Sequence, residues 1–461
     1  AIKNFAIWAR RELIESVTRT AKLYGIEKDK MKEDQEATEK GDLLTPVEKR
    51  QRKVLLEKIR RDGFDATMEE VAYTWFNRFI AIHFMEVNGY LPSHVRVFSG
   101  ADGSFQPEIL AECMHLNIEG IDQDKVIELF NAADKDALFR YLLITQCNAL
   151  GSILPGMFEK IADYTELLLP DGLLRDGSII KTMVESIPEK DWQEQVQIIG
   201  WLYQYYNTEP KDKIFSRPKS KKIGKEDIPA ATQLFTPNWI VKYMVENSLG
   251  RMWIEGHPDE ALKKTWKYYL EEAEQEPEVE ERLKEIRKEY GKLEPKDIKC
   301  IDPAMGSGHI LCYLFDVLIQ IYEAYGYKTR DAARLIIEHN LHGLDIDERA
   351  RQLSYFSVMM KARQYDRRIF GRDIIPKPKL YAITESNHFK SKSGDSYLHY
   401  FIDGRKELKV AITSIINDMV DAKEYGSIIE VKPVDFKALY TRFDELMHGS
   451  LNLYTLVLID T

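Results

Sequence analysis

The amino-acid sequence predicts an α + α/β chain, in which an N-terminal helical domain precedes an α/β domain. Apolar residues recur at helical spacing up to about residue 205. The run IKCIDPAMGSG, at residues 298–308, then joins a short apolar stretch to a glycine turn, a pattern typical of a buried strand that enters a helix. Beyond this run, strand-like and helix-like segments alternate, which favours a parallel sheet with helical crossovers.

The composition is that of a large, acidic, folded protein. The chain has 461 residues with 65 basic and 75 acidic side chains, which gives a net charge of −10. At about 100–200 residues per domain, this length predicts two to four domains. A hydrophobic fraction of 44%, with 11% aromatic residues, excludes a disordered chain. The net acidity also argues against a protein that coats nucleic acid over its whole surface.

Several kinds of site and segment are not predicted. The four cysteines form no CxxC pair and no HExxH motif occurs, so we expect neither a disulfide scaffold nor a metal site. The longest uncharged run, residues 141–158, contains Thr, Gln, Asn and Pro, so it is not expected to span a membrane. The N-terminus lacks the apolar region of a signal peptide. These features predict a cytoplasmic protein.

Residues 1–225 are predicted to form the N-terminal helical domain, which includes a basic linker at its end. Apolar residues at helical spacing predict a helix over 5–17 and a second, rich in aromatic residues, over 71–84. Two further helices are expected near 136–149 and 192–206. The aromatic stripe of the second helix is best interpreted as core packing.

The basic linker lies in a Lys- and Pro-rich segment, residues 210–229. Within it, the stretch Lys211–Lys225 carries seven basic residues and a single acidic one, Asp212. A second basic stretch, Lys361–Lys379, carries seven basic residues and two acidic ones. Each stretch is either a solvated loop or a contact surface for phosphate groups.

Residues 226–461 are predicted to form the α/β domain. A helix is expected to start at Thr236-Pro237, and an acidic helix to include the seven glutamates between Glu271 and Glu281. The predicted elements that follow are a strand before the glycine turn, helices at His309–Tyr325 and Thr329–Asn340, strands at 341–347 and Leu380–Ser386, and a helix at Val410–Val420.

The first candidate ligand-binding element is the turn from Asp302 to His309, which lies between a predicted strand and a predicted helix. Gly306 and Gly308 permit a tight turn and let a ligand approach the backbone without meeting a Cβ atom. The free N–H groups at the start of the following helix suit a carboxylate or another anion. A GxxxxGK[ST] loop is absent, so hydrolysis of a nucleoside triphosphate is not expected.

The second candidate element is Gly343-Leu344-Asp345-Ile346-Asp347, at the end of the next strand. A carboxylate in this position can accept hydrogen bonds from ribose hydroxyls. Asp345 lies 43 residues beyond Asp302, roughly twice the spacing of dinucleotide-binding folds, which disfavours an NAD-dependent enzyme. The alternative is that these acids only cap the next helix.

Together these elements resemble the DNA amino-methyltransferases that use S-adenosylmethionine. DPAMGSGH is similar to their first motif, GLDIDERA to their second, QLFTP at 233–237 to the motif that precedes the first strand, and AITE at 382–385 to their third. Three longer stretches, Thr74–Pro92, Gly200–Asn207 and Lys225–Trp253, resemble the PglX family of adenine-specific methyltransferases, which belong to bacterial BREX phage-defence systems. The resemblance implies that the second domain is a partial, Rossmann-like class I methyltransferase domain.

The resemblance also implies which residues bind S-adenosylmethionine. Phe235, Thr236 and Pro237 would hold its methionine end, and Asp345 its ribose hydroxyls. Ile346 would pack on the adenine ring, Asp347 would point to the following helix, and Glu385 would approach the adenine amino group. The amino and carboxylate groups would be surrounded by Asp302 and by the backbone of Pro303, Ala304, Met305, Gly306, Ser307, Gly308 and His309. The implied partners are double-stranded DNA with a flipped adenine and other phage-defence proteins.

One departure from the family pattern concerns catalysis. Enzymes of this class carry [DNS]PP[YFW] after their fourth strand, and this sequence contains no PP dipeptide. The chain stops at Thr461, roughly where that strand is expected, so we expect an N-terminal portion of a longer enzyme and assign no catalytic residue. The alternative is a non-catalytic module that binds cofactor, DNA or defence-system partners.

Overall fold

The computed structural model describes residues 1–32, 34–158, 164–193, 196–218, 220–372, 374–390 and 398–447. These residues form a mostly helical chain that also contains a small parallel sheet. The C-terminal LVLIDT run, residues 456–461, lies outside them. Throughout the described ranges, every helix is too short or too polar to cross a bilayer.

The N-terminal half is helical, as the sequence predicts, and contains one short antiparallel hairpin. The strands of the hairpin are β1 (Ile26–Glu27) and β2 (Lys30–Met31). The helices are α1 (Ile2–Leu23), α2 (Pro46–Asp62), α3 (Phe64–Val87), α4 (Glu108–Ala111), α5 (Gln123–Asn131), α6 (Lys135–Ile153), α7 (Tyr164–Leu167), α8 (Ile179–Ser186), α9 (Gln197–Tyr206) and α10 (Thr208–Phe215).

The second half combines helices with three strands, β3 (Cys300–Asp302), β4 (Leu341–Asp345) and β5 (Lys379–Ala382). π-helical turns follow two of its helices, at Glu246–Gly250 and Ile336–Asn340. The helices are α11 (Ile228–Thr232), α12 (Asn238–Val245), α13 (Arg251–Gly256), α14 (Glu260–Lys263), α15 (Pro277–Tyr290), α16 (His309–Ala324), α17 (Thr329–Leu335), α18 (Glu348–Tyr365), α19 (Lys406–Asp418), α20 (Ala422–Tyr425) and α21 (Phe436–Met447).

Two sequence predictions about helix boundaries need correction. The acidic helix begins only at Pro277, because proline lacks the N–H that a helix interior requires but fits the first turn. Glu271, Glu272, Glu274 and Glu276 therefore precede helix α15. The Lys- and Pro-rich linker is also partly helical, since α10 continues to Phe215. By contrast, the helix predicted after Thr236-Pro237 is confirmed, with Pro237 at its N-cap.

The three strands of the second half form a parallel sheet in the order β3-β4-β5. Asp302 pairs in register with Gly343, and Asp345 with Ala382. Since all strands run in one direction, their carboxyl ends meet at one edge of the sheet, where the glycine turn follows β3. The predicted acids Asp302 and Asp345 consequently end two adjacent strands.

One hydrophobic core runs through both halves of the chain. Its largest contributor is α3, whose buried aromatic side chains include Trp75, Phe76 and Phe79, so the aromatic stripe is confirmed as core packing. Phe84 of α3 packs against Phe356 of α18 with 6.0 Å between ring centroids. The helical half is therefore in direct contact with the half that contains the sheet, and the domain boundary at residue 225 stays a prediction.

Candidate functional site

The glycine turn after β3 is held against the end of β4. The Met305 N–H donates to the Leu344 carbonyl at 3.0 Å, and the Gly308 N–H donates to the Met305 carbonyl at 2.8 Å. Helix α16 then begins at His309, directly after Gly308. The sequence thus forms the strand–turn–helix arrangement that directs backbone N–H groups towards the edge of the sheet.

Both glycines of the turn adopt positive φ angles, 53° for Gly306 and 84° for Gly308, which favour glycine. Their surroundings differ. A Cβ atom on Gly308 would lie 2.7 Å from the Ser354 hydroxyl oxygen and 3.1 Å from the Ser354 Cα. A Cβ atom on Gly306 would have no neighbour within 4 Å. Gly308 therefore permits close packing of α18, whereas Gly306 borders open space that a ligand can enter.

Asp302 ends β3 directly before the glycine turn and is only 7% exposed. Its Oδ1 accepts a hydrogen bond from the Ala304 N–H at 3.1 Å, and its buried Oδ2 has no hydrogen-bond partner. Burial raises the pKa of the Asp302 carboxyl, and the nearby charge of Asp345 acts in the same direction, while the Ala304 N–H opposes both. An unpartnered buried carboxylate oxygen suits a cationic ligand group.

Asp345 joins the two candidate elements directly. Its Oδ2 accepts the N–H of Gly306 at 2.9 Å, and its Oδ1 accepts the N–H of Asp347 at 2.9 Å. Burial raises the pKa of the Asp345 carboxyl, which these two N–H groups oppose. Each oxygen has a second lone pair, so Asp345 can still accept a hydrogen bond from a ligand.

Asp347 makes its contacts with protein groups. It caps α18 by accepting the Arg349 N–H at 3.0 Å and forms an ion pair of 2.9 Å with the Arg349 guanidinium. Its Oδ2 also accepts the hydroxyl of Tyr203 in α9 at 3.2 Å. Although burial opposes ionisation, the ion pair with Arg349 keeps the pKa of Asp347 below its ordinary value. The carboxylate is directed towards the helical half, and its side chain provides a contact between the two halves.

Phe235 stacks on His309, the first residue of α16 after the glycine turn. Their rings are parallel, with 4.4 Å between centroids. Neither ring nitrogen of His309 has a hydrogen-bond partner. Burial lowers the pKa of His309, and the backbone of Thr236 acts in the opposite direction. Pro237 follows at the N-cap of α12, so the QLFTP segment and the end of the glycine turn meet at these two rings.

The remaining predicted residues occupy more varied positions. Pro303 and Ala304 are exposed, whereas Met305 is buried against Gly343. Ser307 is buried beside α9. Ile346 is partly buried and lies near Gly426, directly after α20.

Glu385 already has two partners. It forms an ion pair with Lys225 and accepts the Lys423 N–H at 3.1 Å. The structure therefore connects the AITE segment to α20 and to the basic stretch at 211–225.

These features fit the methionine and ribose parts of S-adenosylmethionine. The orphaned Oδ2 of Asp302 can receive a cationic amino group, and the space beside Gly306 leaves room for a ligand that approaches the backbone. Asp345 can accept from ribose hydroxyls. Within the described ranges, no group of three or more His, Cys, Asp or Glu side chains could hold a metal ion.

A cavity in the helical half lies apart from these residues. A cavity of about 790 Å³ lies between α4, α5 and α6 and is lined mainly by apolar residues such as Pro107, Leu110 and Phe130. None of the residues of the glycine turn lines it. The chemistry of the buried acids and the backbone geometry, rather than volume, identify the candidate site.

Sequence reasoning missed the residues that the helical half contributes. Gly200 in α9 lies against Phe235 and Ser307, and a Cβ atom there would be 2.8 Å from the Ser307 hydroxyl oxygen. Tyr203, one turn later, reaches Asp347. The signal in the sequence for these contacts was the stretch GWLYQYYN, which resembles the family although it lies far in sequence from the predicted cofactor motifs.

Comparison with known proteins identifies relatives of this chain. No family model matches the chain. The adenine-specific methyltransferase BrxX of Escherichia coli O9:H4 is 44% identical over 387 residues, which cover 81% of this chain and 31% of BrxX. The adenine-specific methyltransferase PglX of Lacticaseibacillus casei is 41% identical over a gapped alignment of length 467, which covers 93% of this chain and 37% of PglX. The chain therefore spans about a third of the length of these curated relatives. Over most of its own length, this chain is therefore a homologue of the PglX-type adenine-specific methyltransferases.

Proposed function

We propose that this chain is the cofactor-binding part of an enzyme that methylates N6 of adenine in DNA, with S-adenosylmethionine as methyl donor. The observation that supports it best is that an unpartnered Asp302 oxygen and the Asp345 carboxylate flank one glycine turn. The relatives of the chain are named adenine-specific methyltransferases. The sheet of three strands would then be part of a Rossmann-like class I methyltransferase domain.

In this proposal the residues of the site have separate tasks. Asp302 and the N–H groups that open α16 hold the amino and carboxylate groups of methionine, and Phe235 with Thr236 and Pro237 closes that end. Asp345 accepts from the ribose hydroxyls, and Ile346 packs on the adenine ring. Glu385, which already accepts from Lys225 and the Lys423 N–H, would use a remaining carboxylate lone pair to accept from the adenine amino group. S-adenosylmethionine supplies the electrophilic methyl group.

The target base requires groups that this sequence lacks. The exocyclic amine of adenine is a weak nucleophile because its lone pair is delocalised into the ring. In the family that the sequence resembles, a flipped adenine stacks on the aromatic residue of [DNS]PP[YFW], and the first residue and a proline carbonyl accept its amino hydrogens. Because the sequence contains no PP dipeptide, we propose that this chain alone binds cofactor without transferring a methyl group.

The biological setting follows from the same resemblance. The whole enzyme would act in the cytoplasm on double-stranded DNA, together with other proteins of a BREX phage-defence system. A second candidate function is a module that binds cofactor, DNA or partners without catalysis, which the missing PP motif favours for this chain taken by itself.

The proposed cofactor is tested by calorimetry with S-adenosylmethionine, S-adenosylhomocysteine and NAD⁺. We expect saturable binding of the first two and none of NAD⁺. Binding of NAD⁺ alone would replace the proposal with a dinucleotide-dependent enzyme. Binding of none of the three would remove the cofactor site from this chain.

A further inference from the structure

Helix α9 of the helical half lies along both cofactor elements of the α/β half. Gly200 packs on Phe235 and Ser307, where a Cβ atom would come within 2.8 Å of the Ser307 hydroxyl oxygen. Trp201 adds an edge-on contact to Phe235, with 6.2 Å between ring centroids. Tyr203, three residues after Gly200, donates its hydroxyl to Asp347 Oδ2 at 3.2 Å. One turn of one helix therefore contacts the QLFTP segment, the glycine turn and the acidic segment.

The contact of Tyr203 with Asp347 is buried and enclosed by aromatic residues. Tyr203 is 5% exposed and Asp347 is 8% exposed. Arg349, the ion-pair partner of Asp347, lies over the ring of Tyr73 at 5.0 Å from its centroid. Asp347 thus accepts from groups on both sides, its own helix α18 and the helical half, and its position is fixed by the two together.

The position of Asp347 determines that of Asp345 through the backbone. The Asp347 N–H donates to Asp345 Oδ1 at 2.9 Å, while the Gly306 N–H donates to Asp345 Oδ2 at 2.9 Å. A carboxylate held by two N–H groups has its remaining lone pairs in fixed directions. A shift of the Asp347 backbone would rotate or translate the carboxylate of Asp345.

We propose that Tyr203 and Gly200 of α9 are positioning residues of the cofactor site: Tyr203 sets the Asp345 carboxylate for the ribose through Asp347, and Gly200 sets Phe235 for the methionine end. The inference rests on the proposed function. It makes the helical half part of the cofactor site, with α9 as the element that aligns its two ends.

Substitutions of Tyr203 and Gly200 should affect the binding of different parts of the ligand. Tyr203→Phe removes only the hydroxyl, and a lost hydrogen bond is worth about 0.5–1.5 kcal/mol, so we expect about 3- to 10-fold weaker binding of S-adenosylhomocysteine. Binding of its 2′,3′-dideoxyribose analogue should not change, because that ligand lacks the hydroxyls that Asp345 accepts. Gly200→Ala should weaken both ligands by the same factor, because it displaces Phe235 and leaves Asp345 in place.

The experiment measures the affinity of the full chain for both ligands by calorimetry, together with its unfolding temperature. Tyr205→Phe is the matched control, since this half-buried tyrosine of the same helix is two residues from Tyr203. We expect it to leave both affinities unchanged. A double variant with Asp345→Ala supplies a second test, because this change removes the acceptor and Tyr203→Phe should then have no further effect on affinity.

Each outcome decides the proposal. A selective loss for the ribose ligand in Tyr203→Phe, absent in the Asp345→Ala background, supports it. Equal loss for both ligands, or no loss, overturns it while binding by the wild-type chain still upholds the proposed function. If Gly200→Ala fails to fold, the Tyr203→Phe variant still decides. Failure of the wild-type chain to bind S-adenosylhomocysteine overturns the proposed function and this inference together.

Discussion

At the residue scale, Gly306 and Gly308 share a left-handed backbone conformation but have different neighbours. Gly308→Val should destabilise the fold, because the side chain meets Ser354 in addition to a backbone strain of about 1–3 kcal/mol. Gly306→Val carries a similar strain but meets no neighbour, so the chain should remain folded and lose cofactor binding. Thermal unfolding and calorimetry measure the two effects. Unchanged affinity in a folded Gly306→Val chain would remove this turn from the site.

Substitutions of Asp345 and Asp347, the two acids of the second element, should also have different effects. Asp345→Ala removes the proposed ribose acceptor, which we expect to weaken S-adenosylmethionine binding by about 1.5–3 kcal/mol, the value of a hydrogen bond to a charged group. Asp347→Ala should weaken binding less but lower the unfolding temperature more, because Arg349 loses its ion pair and α18 loses its cap. A larger loss of affinity in Asp347→Ala would mean that the ribose acceptor is assigned to the wrong carboxylate.

His309 should make stability depend on pH. Burial lowers the pKa of its imidazole, so between the lowered value and the ordinary value of 6.5 the unfolded chain binds more protons than the folded chain. The free energy of unfolding therefore falls as the pH drops below about 6.5. His309→Phe keeps a ring to stack on Phe235 and should reduce this dependence, as denaturant titrations at pH 8, 6 and 5 would measure. An equal loss of stability in both proteins would assign the effect to other groups.

At the element scale, the basic side chains of the stretch at 211–225 have different roles. Lys211 donates to the Gln233 carbonyl at 2.6 Å, Arg217 pairs with Asp227, and Lys225 pairs with Glu385. Lys213, Lys221 and Lys222 are exposed, and Lys219 lies outside the described residues. The stretch is therefore partly structural and partly open to solvent.

If the exposed lysine side chains contact phosphate groups, changing Lys213, Lys221 and Lys222 to Gln should weaken non-specific DNA binding. The slope of log affinity against log salt concentration should decrease by roughly three, one for each lost contact. A matched variant with Lys284, Lys288 and Lys292 of the acidic α15 region changed to Gln has the same loss of charge. A salt slope that is unchanged, or that changes equally in both variants, would make this stretch an ordinary solvated segment.

The same scale shows what local patterns can predict. The strand–turn–helix unit at 300–324 follows from apolar runs and glycine positions close together in sequence, and the acid that ends β4 follows from the strand before it. The predicted extent of α15 is wrong because it followed the run of glutamates. Pro277, which fits only the first turn of a helix, sets the actual start. The contact of Gly200 with Phe235 could not be predicted, because it depends on how α9 packs against a segment more than 30 residues away.

At the scale of the whole molecule, a continuous core joins the helical half to the half that contains the parallel sheet. Tyr203 and Phe84 reach α18 and the residues before it from two different helices, so the proposed cofactor site has contributions from both halves. The three-stranded sheet has one face that is less well covered, with Ile301 61% exposed and Tyr381 60% exposed. Parallel sheets normally have both faces covered, so we expect another polypeptide surface to pack on this face.

Catalysis should distinguish this chain from its curated relatives, of which it spans about a third. Asp302, Asp345 and Phe235 lie around one glycine turn, whereas the PP-containing motif that would hold the flipped adenine is absent from this sequence. We therefore expect this chain to bind S-adenosylmethionine but to incorporate no labelled methyl groups into DNA. Binding should also be weaker than in a full-length relative, because the sheet that supports the pocket has an incompletely covered face.

Full-length PglX of Lacticaseibacillus casei is the positive control for incorporation, and a reaction with the labelled donor but without protein is the negative control. Incorporation by this chain above the level of that negative control would mean that another set of residues accepts the adenine amino hydrogens. Cofactor affinity equal to that of the full-length relative would mean that the exposed face of β3 and β5 does not weaken the pocket, and that the residues described here suffice to form it.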